Sequence, residues 1–411
     1  MIDSKNSSKK RKYCKFFIGD VKMSEIVAII TEYNPFHNGH KYQIDKIKEQ
    51  MPDATIIAIM SGNCVQRGEL SFLNKYSRAK MAIECGVDAV FELPFPYSCS
   101  TAEIFANAGV EIASKLGASY LYFGIEKDSI EDIEKIANAI DSEEFNQEIS
   151  NLIKDGYMSY PVMRDKALKN LGFNMSNMSN DILAIEYIRA IKNKGLNLQY
   201  RAIKRIGAGY KDSNVCEIMS ASAIREEFYQ NGDALSLPNE AIAIFNEDAE
   251  NGAINNKNLT NQIFHSHILL SNPNLMEKHF DIPCGMGRYI FENAKKCKNP
   301  SIFTDDFSSK SYTTSRLKRA VIYSIFGIDS IDKSPEYTIL LGANEKGKFI
   351  IKENRKKENI VIITKHSDTK KINEKSLMQF EKEMKLDEVY ESLYISPSPP
   401  NNAYKKTPYI K

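Results

Sequence analysis

From Ile26 to about residue 205, short apolar blocks alternate with longer stretches whose apolar positions recur every three or four residues. Unbroken apolar runs of this length suit strands buried on both faces, and the recurrent spacing suits helices with one buried stripe. The pattern predicts strands at Ile26–Thr31, Thr55–Met60, Asp88–Glu92, Ser119–Phe123 and Leu198–Ile203. It predicts helices at about Gly39–Gln50, Lys75–Cys85, Thr101–Leu116 and Ile130–Ala139, and helical stretches near Glu148–Leu171 and Asp181–Lys194. Such alternation implies an α/β fold: a doubly wound parallel sheet with its ligand site at the carboxyl ends of the strands. From about 226 to 330 the pattern is mostly helical, with polar linkers such as Asn251–Asn261. It turns strand-like at Tyr337–Leu341, Phe349–Ile351 and Ile360–Ile363, so the C-terminal region reads as mostly helical and α+β. The proline-rich tail Ser396–Asn402 cannot continue a helix or a central strand.

Composition narrows the class further. A chain of 411 residues, 42% hydrophobic and 26% charged, has room for two or three domains with real cores. The net charge of +2 is uninformative, but residues 301–411 carry 20 Lys/Arg against 15 Asp/Glu, an excess compatible with RNA and equally with a solvated lysine-rich surface. Seven scattered cysteines (Cys14, Cys64, Cys85, Cys99, Cys216, Cys284 and Cys297) form no Cys-x-x-Cys pair, which suits a reducing cytosol and argues against structural zinc. No apolar run approaches a membrane span. Residues 1–22 carry seven Lys/Arg and two Asp, lack the apolar core of a signal peptide, and are expected to be a disordered basic extension. The expected location is the cytoplasm, with no membrane contact.

The candidate chemistry gathers where the expected strands end. The first strand runs into Glu32-Tyr33-Asn34-Pro35-Phe36-His37-Asn38-Gly39-His40, which opens a helix. The free amides of a helix N-terminus attract anions, imidazoles donate to phosphoryl oxygens, and Gly39 permits close approach of a ligand. His37 and His40 are therefore expected to line a phosphate site. The alternative is a pair of polar residues capping the helix. They are not expected to ligate a metal, because the loop supplies no third ligand of suitable type. Arg205 and Arg225 follow other rim loops and carry the planar donor fork that matches phosphate oxygens. Ser220 and Ser222 precede a helix as N-caps would, and Gln66, Arg67, Lys75 and Arg78 could line the same rim. His265 and His267 read as structural, the cysteines as small buried hydrophobes. The chain contains no Gly-x-Ser-x-Gly elbow and no Gly-x-x-x-x-Gly-Lys-Ser/Thr loop, which disfavours a hydrolase or a Walker-type ATPase.

His-x-Gly-His resembles the signature of the nucleotidylyltransferase superfamily, which implies that His37 and His40 hold a nucleotide triphosphate and stabilise charge building on departing pyrophosphate. With Ser61–Glu69, Lys75–Ala82, Gly86–Pro94, Asn180–Leu183, Lys204–Tyr210 and Ser220–Arg225, the chain resembles its tRNA(Met) cytidine acetate ligase family. The resemblance implies a nucleotidylyltransferase-like ATP and acetate domain over 23–230 and a tRNA-binding region over 231–411. It implies that acetate attacks ATP to give acetyl-adenylate, and that the acetyl group then passes to N4 of the wobble cytidine of elongator tRNA(Met). It further implies that Ile29-Ile30-Thr31-Glu32-Tyr33-Asn34-Pro35-Phe36-His37-Asn38-Gly39-His40-Lys41-Tyr42, Gly124, Asn180, Arg205 and Ile206 contact ATP, with Mg²⁺ travelling on the nucleotide. The segment Lys310-Ser311-Tyr312-Thr313-Thr314-Ser315-Arg316-Leu317-Lys318-Arg319 matches weakly. Lys310, Tyr312, Arg316, Lys318 and Arg319 are the expected tRNA contacts, although Ser311 and Ser315 replace an expected arginine and threonine. Asn74 stands where an acidic residue is expected, and Ser222 replaces a threonine. Two other readings stay open: an acyl or adenylyl transfer to a small molecule such as a carrier thiol, and a silent RNA-binding relative. The oligomeric state is left open.

Overall fold

The computed structural model describes residues 24–126, 128–155, 159–205, 219–233, 236–397 and 403–411. The N-terminal half runs β1 (Ile26–Thr31), α1 (Asn38–Gln50), β2 (Thr55–Ser61), a short hairpin of β3 (Cys64–Val65) and β4 (Glu69–Leu70), α2 (Lys75–Glu84) and β5 (Ala89–Leu93). It continues through α3 (Ala102–Lys115), β6 (Tyr120–Ile125), α4 (Ile130–Ile140), α5 (Glu143–Asp155), α6 (Tyr160–Asn170), α7 (Ser179–Asn193) and β7 (Gln199–Lys204). Then come α8 (Ala221–Asn231), α9 (Asn239–Glu250), α10 (Lys257–Leu270), α11 (Pro273–Met276), α12 (Met286–Lys296) and α13 (Thr314–Phe326). β8 (Tyr337–Ala343), α14 (Glu345–Lys357), β9 (Val361–Ile363), α15 (Glu374–Ser392) and β10 (Tyr409–Ile410) complete the order.

β1 lies inside the sheet, parallel to β2 with Ile29 opposite Ala58 and to β6 with Ala28 opposite Leu121. β5 adds beyond β2, and β7 beyond β6, both in parallel. Because side chains alternate across a strand, Ala28 and Ile30 enter one core with Phe105 and Ile188, while Val27 and Ile29 enter the other with Ile44 and Ala79. The apolar run that β1 shows in sequence is thus a strand covered on both faces. α3 lies so close to it that a Cβ on Gly109 would come within 2.9 Å of Ile30 Cδ1.

The sheet is not wholly parallel. β8 runs antiparallel beside β5, and β9 and β10 pair with β8 in parallel. Strands from both sides of residue 230 therefore share one sheet. A third core joins Phe264, Ile290, Leu317 and Val321 of the C-terminal helices to Leu386 and Tyr390 of α15. On α15, Phe380 and Met384 instead pack into the core beneath α1 and α2.

Two expectations fail here for the same reason. Phe349–Ile351 lies inside α14, not in a strand: Asn344 caps that helix by accepting from Gly347 N, and Gly347, Ile350, Ile351 and Asn354 are its buried positions at helical spacing. Asn251–Asn261 is not a linker throughout, because Asn256 accepts from Leu259 N and starts α10. The stretch Glu148–Leu171 is divided between α5 and α6. The basic extension, Ile206 with the rest of its loop, and Ser398–Asn402 lie outside the described residues. No helix among the described residues is long and apolar enough to cross a membrane.

Candidate active site

The turn after β1 shapes the first half of the site. Tyr33 takes φ +46, and His37, extended at φ −144, becomes the N-cap of α1. His37 Nδ1 accepts from Gly39 N at 3.0 Å, and His40 Nδ1 accepts from His37 N at 3.3 Å. Both readings of the pair are thus compatible: the rings cap the helix with one nitrogen, and the other has no hydrogen bond among the described residues. With both Nδ1 lone pairs engaged, the ring proton sits on Nε2, so each imidazole presents an N–H donor. The rings stack with centroids 3.8 Å apart.

Burial, aided by the charge of Arg205, lowers His37 to about 3. Burial, then His37 and Arg205, holds His40 well below the ordinary histidine range. The pair is therefore neutral at physiological pH and acts through N–H dipoles. Stability from this source is complete above the ordinary value of 6.5 and is lost as pH falls toward the depressed value. Nitrogen NMR of the ligand-free protein should show both rings as Nε2–H tautomers with no titration near 6.5; a titration there would contradict the assignment.

The histidines face a cleft of about 640 Å³ at the carboxyl ends of β1 and β6, roofed by the β3–β4 hairpin and α8. Ile30, Thr31, Glu32, Tyr33, Asn34, Gly39 and Tyr42 line it with His37 and His40. Gly124 and Arg205 meet there: a Cβ at Gly124 would sit 3.1 Å from Arg205 Cγ, so glycine lets the arginine lie flat across the end of β6. Arg205 Nη1 donates to Asn180 Oδ1 at 3.2 Å, and Asn180 Nδ2 donates to Glu126. Arg225 Nη1 donates to Asn34 O at 2.6 Å, tying α8 to the histidine turn, and Nη2 reaches Ser222 Oγ at 3.4 Å. Gln66 and Arg67 line the hairpin side, Arg67 donating to Ser179 Oγ at 2.5 Å.

Other expected residues lie elsewhere. Ile29, Pro35 and Phe36 are buried behind the cleft, Lys41 pairs with Asp45 at 2.7 Å on α1, and Ser220 caps α8 by accepting from Ala223 N. Neither Asn38 nor any of these lines the cavity. Lys75 and Arg78 are wholly buried beneath the rim, so their expected place on it is corrected. Arg78 donates to the carbonyls of Glu32, Ser61, Gly62 and Leu73, locking the ends of β1 and β2 together. Lys75 forms ion pairs with Glu92 and Asp387.

The expected basic RNA face is likewise redistributed, because α13 packs into the third core. Lys318 is buried between Glu69 and Asp305 and lines the cleft. Arg319 is buried, with Nη1 on Gln66 O at 3.3 Å. Arg316 pairs with Asp281 and lies 5.8 Å from the Tyr312 ring centroid, leaving Lys310 exposed. Sequence reasoning missed Lys257, Thr260, Asn261 and Asp305, which wall the far side of the cleft. Their only signal was Asn256 as a helix cap. His265 and His267 are structural, bonded to Ala294 O and Ser324 Oγ. Among the described residues no cluster of His, Cys, Asp or Glu is arranged to hold a metal.

The chain carries His-x-Gly-His between the first strand and first helix of a mostly parallel sheet, and the family model described as HIGH Nucleotidyl Transferase matches its residues 24–406. The tRNA(Met) cytidine acetate ligase of Caldicellulosiruptor bescii is 35% identical over 357 residues, covering 83% of this chain and 87% of its own. That of Thermosipho africanus is 32% identical over 417 residues, covering 93% and 97%. The crystal structure of Thermotoga maritima TmcAL bound with alpha-thio ATP is similar at TM-score 0.84 and 27% identity, over 94% of this chain and 99% of that one. The chain belongs to the tRNA(Met) cytidine acetate ligase family of HIGH nucleotidyl transferases.

Proposed function

We propose that the cleft joins acetate to the α-phosphate of ATP, releasing pyrophosphate, and then transfers the acetyl group to N4 of the wobble cytidine of elongator tRNA(Met). The observation that carries the first step is the stacked, neutral His37–His40 pair beside Arg205 and Arg225. Acetate is ionised at neutral pH, its pKa being about 4 to 5 like other carboxylic acids, so adenylation needs no general base. Its obstacle is bringing one anion to another. Two Nε2–H donors and two guanidiniums lower that barrier, with the donors fixed before the reaction begins. The ATP analogue in the Thermotoga maritima relative supports the same ligand here. The described residues do not form a metal cage, so no step is assigned to a protein-bound ion; Mg²⁺ would travel with the nucleotide phosphates.

The second step sets a weakly nucleophilic exocyclic amine against an activated acyl group, where orientation supplies much of the rate. Lys257, Thr260, Asp305 and Lys318 of the C-terminal half form one wall of the cleft that the histidines face, which supports entry of a large acceptor between the two halves. The test is incubation of elongator and initiator methionine tRNA with ATP and labelled acetate, followed by mass analysis of the nucleosides. N4-acetylcytidine is expected in the elongator tRNA alone. No label in either tRNA would refute the reading.

A further inference from the structure

Acyl transfer needs a group that the adenylation step does not. When N4 attacks, a carbon–nitrogen bond forms, the bond from the acetyl carbon to the adenylate oxygen breaks, and AMP leaves with that electron pair. One N4 proton must go elsewhere. The histidines are unsuited to take it, because their Nδ1 lone pairs accept backbone N–H groups and their Nε2 atoms already carry protons.

The carboxylates lining the cleft narrow the choice. Glu69 is paired with Lys318, Asp305 is shared between Lys257 and Lys318, and Glu226 is exposed on α8. Glu32 differs. It stands at the end of β1, one residue before the turn that carries the histidines, and is half-buried in the cleft wall. Its Oε1 accepts from Gln66 N at 2.9 Å, which holds the carboxyl in one orientation. Its Oε2 has no hydrogen bond or ion pair among the described residues, nor is it a sealed, unpartnered atom.

We propose that Glu32 is the general base of acetyl transfer, taking the N4 proton through Oε2 and passing it to solvent after AMP departs. This assignment rests on the functional reading above. The groups facing Glu32 are Arg67 from the hairpin, Arg78 from α2, Arg225 from α8, Cys64 of β3 and Tyr187 of α7. Burial raises its affinity for a proton, while the Gln66 amide and the three guanidiniums pull the other way and favour the ionised form. A carboxylate balanced in this way can receive a proton during turnover and release it afterwards.

Glu32→Gln separates the two steps, and its amide oxygen can still accept from Gln66 N. Because acetate arrives ionised, the variant should lose at least about ten times more of its acetyl transfer than of its acetate-dependent exchange of pyrophosphate into ATP. Acetyl transfer to elongator tRNA, supplied with preformed acetyl-adenylate, should fall by about 10² or more. The residual rate should lose the acid-side limb of the wild-type pH profile. Glu32→Asp should retain part of the transfer activity, since the base survives at a shorter reach. Parallel losses in exchange and transfer would overturn the assignment and make Glu32 a nucleotide-binding group; an unchanged transfer rate would overturn it too. A wild-type protein that transfers no acetyl group would remove the functional reading and this assignment with it, an outcome distinct from a defect confined to the variant.

Discussion

His40→Ala is expected to lower acetate-dependent pyrophosphate exchange by about 10²–10³-fold, the usual cost of removing one preorganised donor from a site of developing charge. The loss should far exceed the effect on the fold. His40 Nδ1 accepts a single bond from His37 N, so deletion should cost about 1 kcal/mol of stability, in the range of a lost helix cap. Thermal melting read beside exchange separates the two effects. His37→Ala should behave alike but melt somewhat lower, since His37 is the N-cap itself. Exchange near the wild-type rate in either variant would show that the imidazoles serve only as caps.

Lys75→Met should destabilise the protein by about 3–5 kcal/mol, the cost of breaking a buried ion pair from one side. Lys75 is wholly buried and lies 2.8 Å from Glu92 and 2.6 Å from Asp387, with Glu383 close by. Burial alone would lower its pKa, but Asp387 and Glu92 outweigh it and hold the ammonium well above the ordinary lysine value. Burial pushes Asp387 up to about 6 and Glu383 well above its ordinary range, the latter with Glu92 adding to the effect. Without the lysine these carboxyls have more reason to bind protons in the folded state than in the unfolded one. Linkage then makes the variant gain stability as pH falls, so its deficit against wild type should be larger at pH 8 than at pH 5. Denaturant titration at the two pH values checks both sign and size; a deficit independent of pH would contradict this account. The cluster matters to the site because Glu383 and Asp387 belong to α15, while Glu92 lies in β5 and Lys75 starts α2. It is the charged joint between the C-terminal half and the central sheet.

The parts of the fold legible in sequence were those where one period dominates. β1 matches its expected limits, and α1, α2 and α3 lie within a residue of theirs, because apolar runs and caps agree there. Phe349–Ile351 misled because three successive apolar residues carry no period; Asn344, Glu345 and the closing Arg355-Lys356-Lys357 were the better signal. The antiparallel seat of β8 beside β5 was not legible, since a strand of seven buried residues looks the same in either direction. The histidine turn stood out because histidine and glycine follow a strand there, Arg205 because it follows a rim loop, and Gly124 came from the family resemblance; the structure brings all of them to one cleft. The burial of Lys75, Arg78, Lys318 and Arg319 was not legible, because a charged side chain reads as exposed until its carbonyl or carboxylate partners, remote in sequence, are known. Lys318, for one, meets Glu69 from the other end of the chain.

The central claim is that one cleft activates acetate on the α-phosphate and then hands its acetyl group to tRNA. The most direct measurement uses acetate labelled in both oxygens, with ATP and elongator methionine tRNA. If acetate attacks the α-phosphate and N4 then displaces the adenylate, one labelled oxygen must appear in AMP for each N4-acetylcytidine formed. The account predicts that one-to-one yield, with pyrophosphate as the other product. Acetylated tRNA accompanied by unlabelled AMP, or by ADP and phosphate, would contradict it.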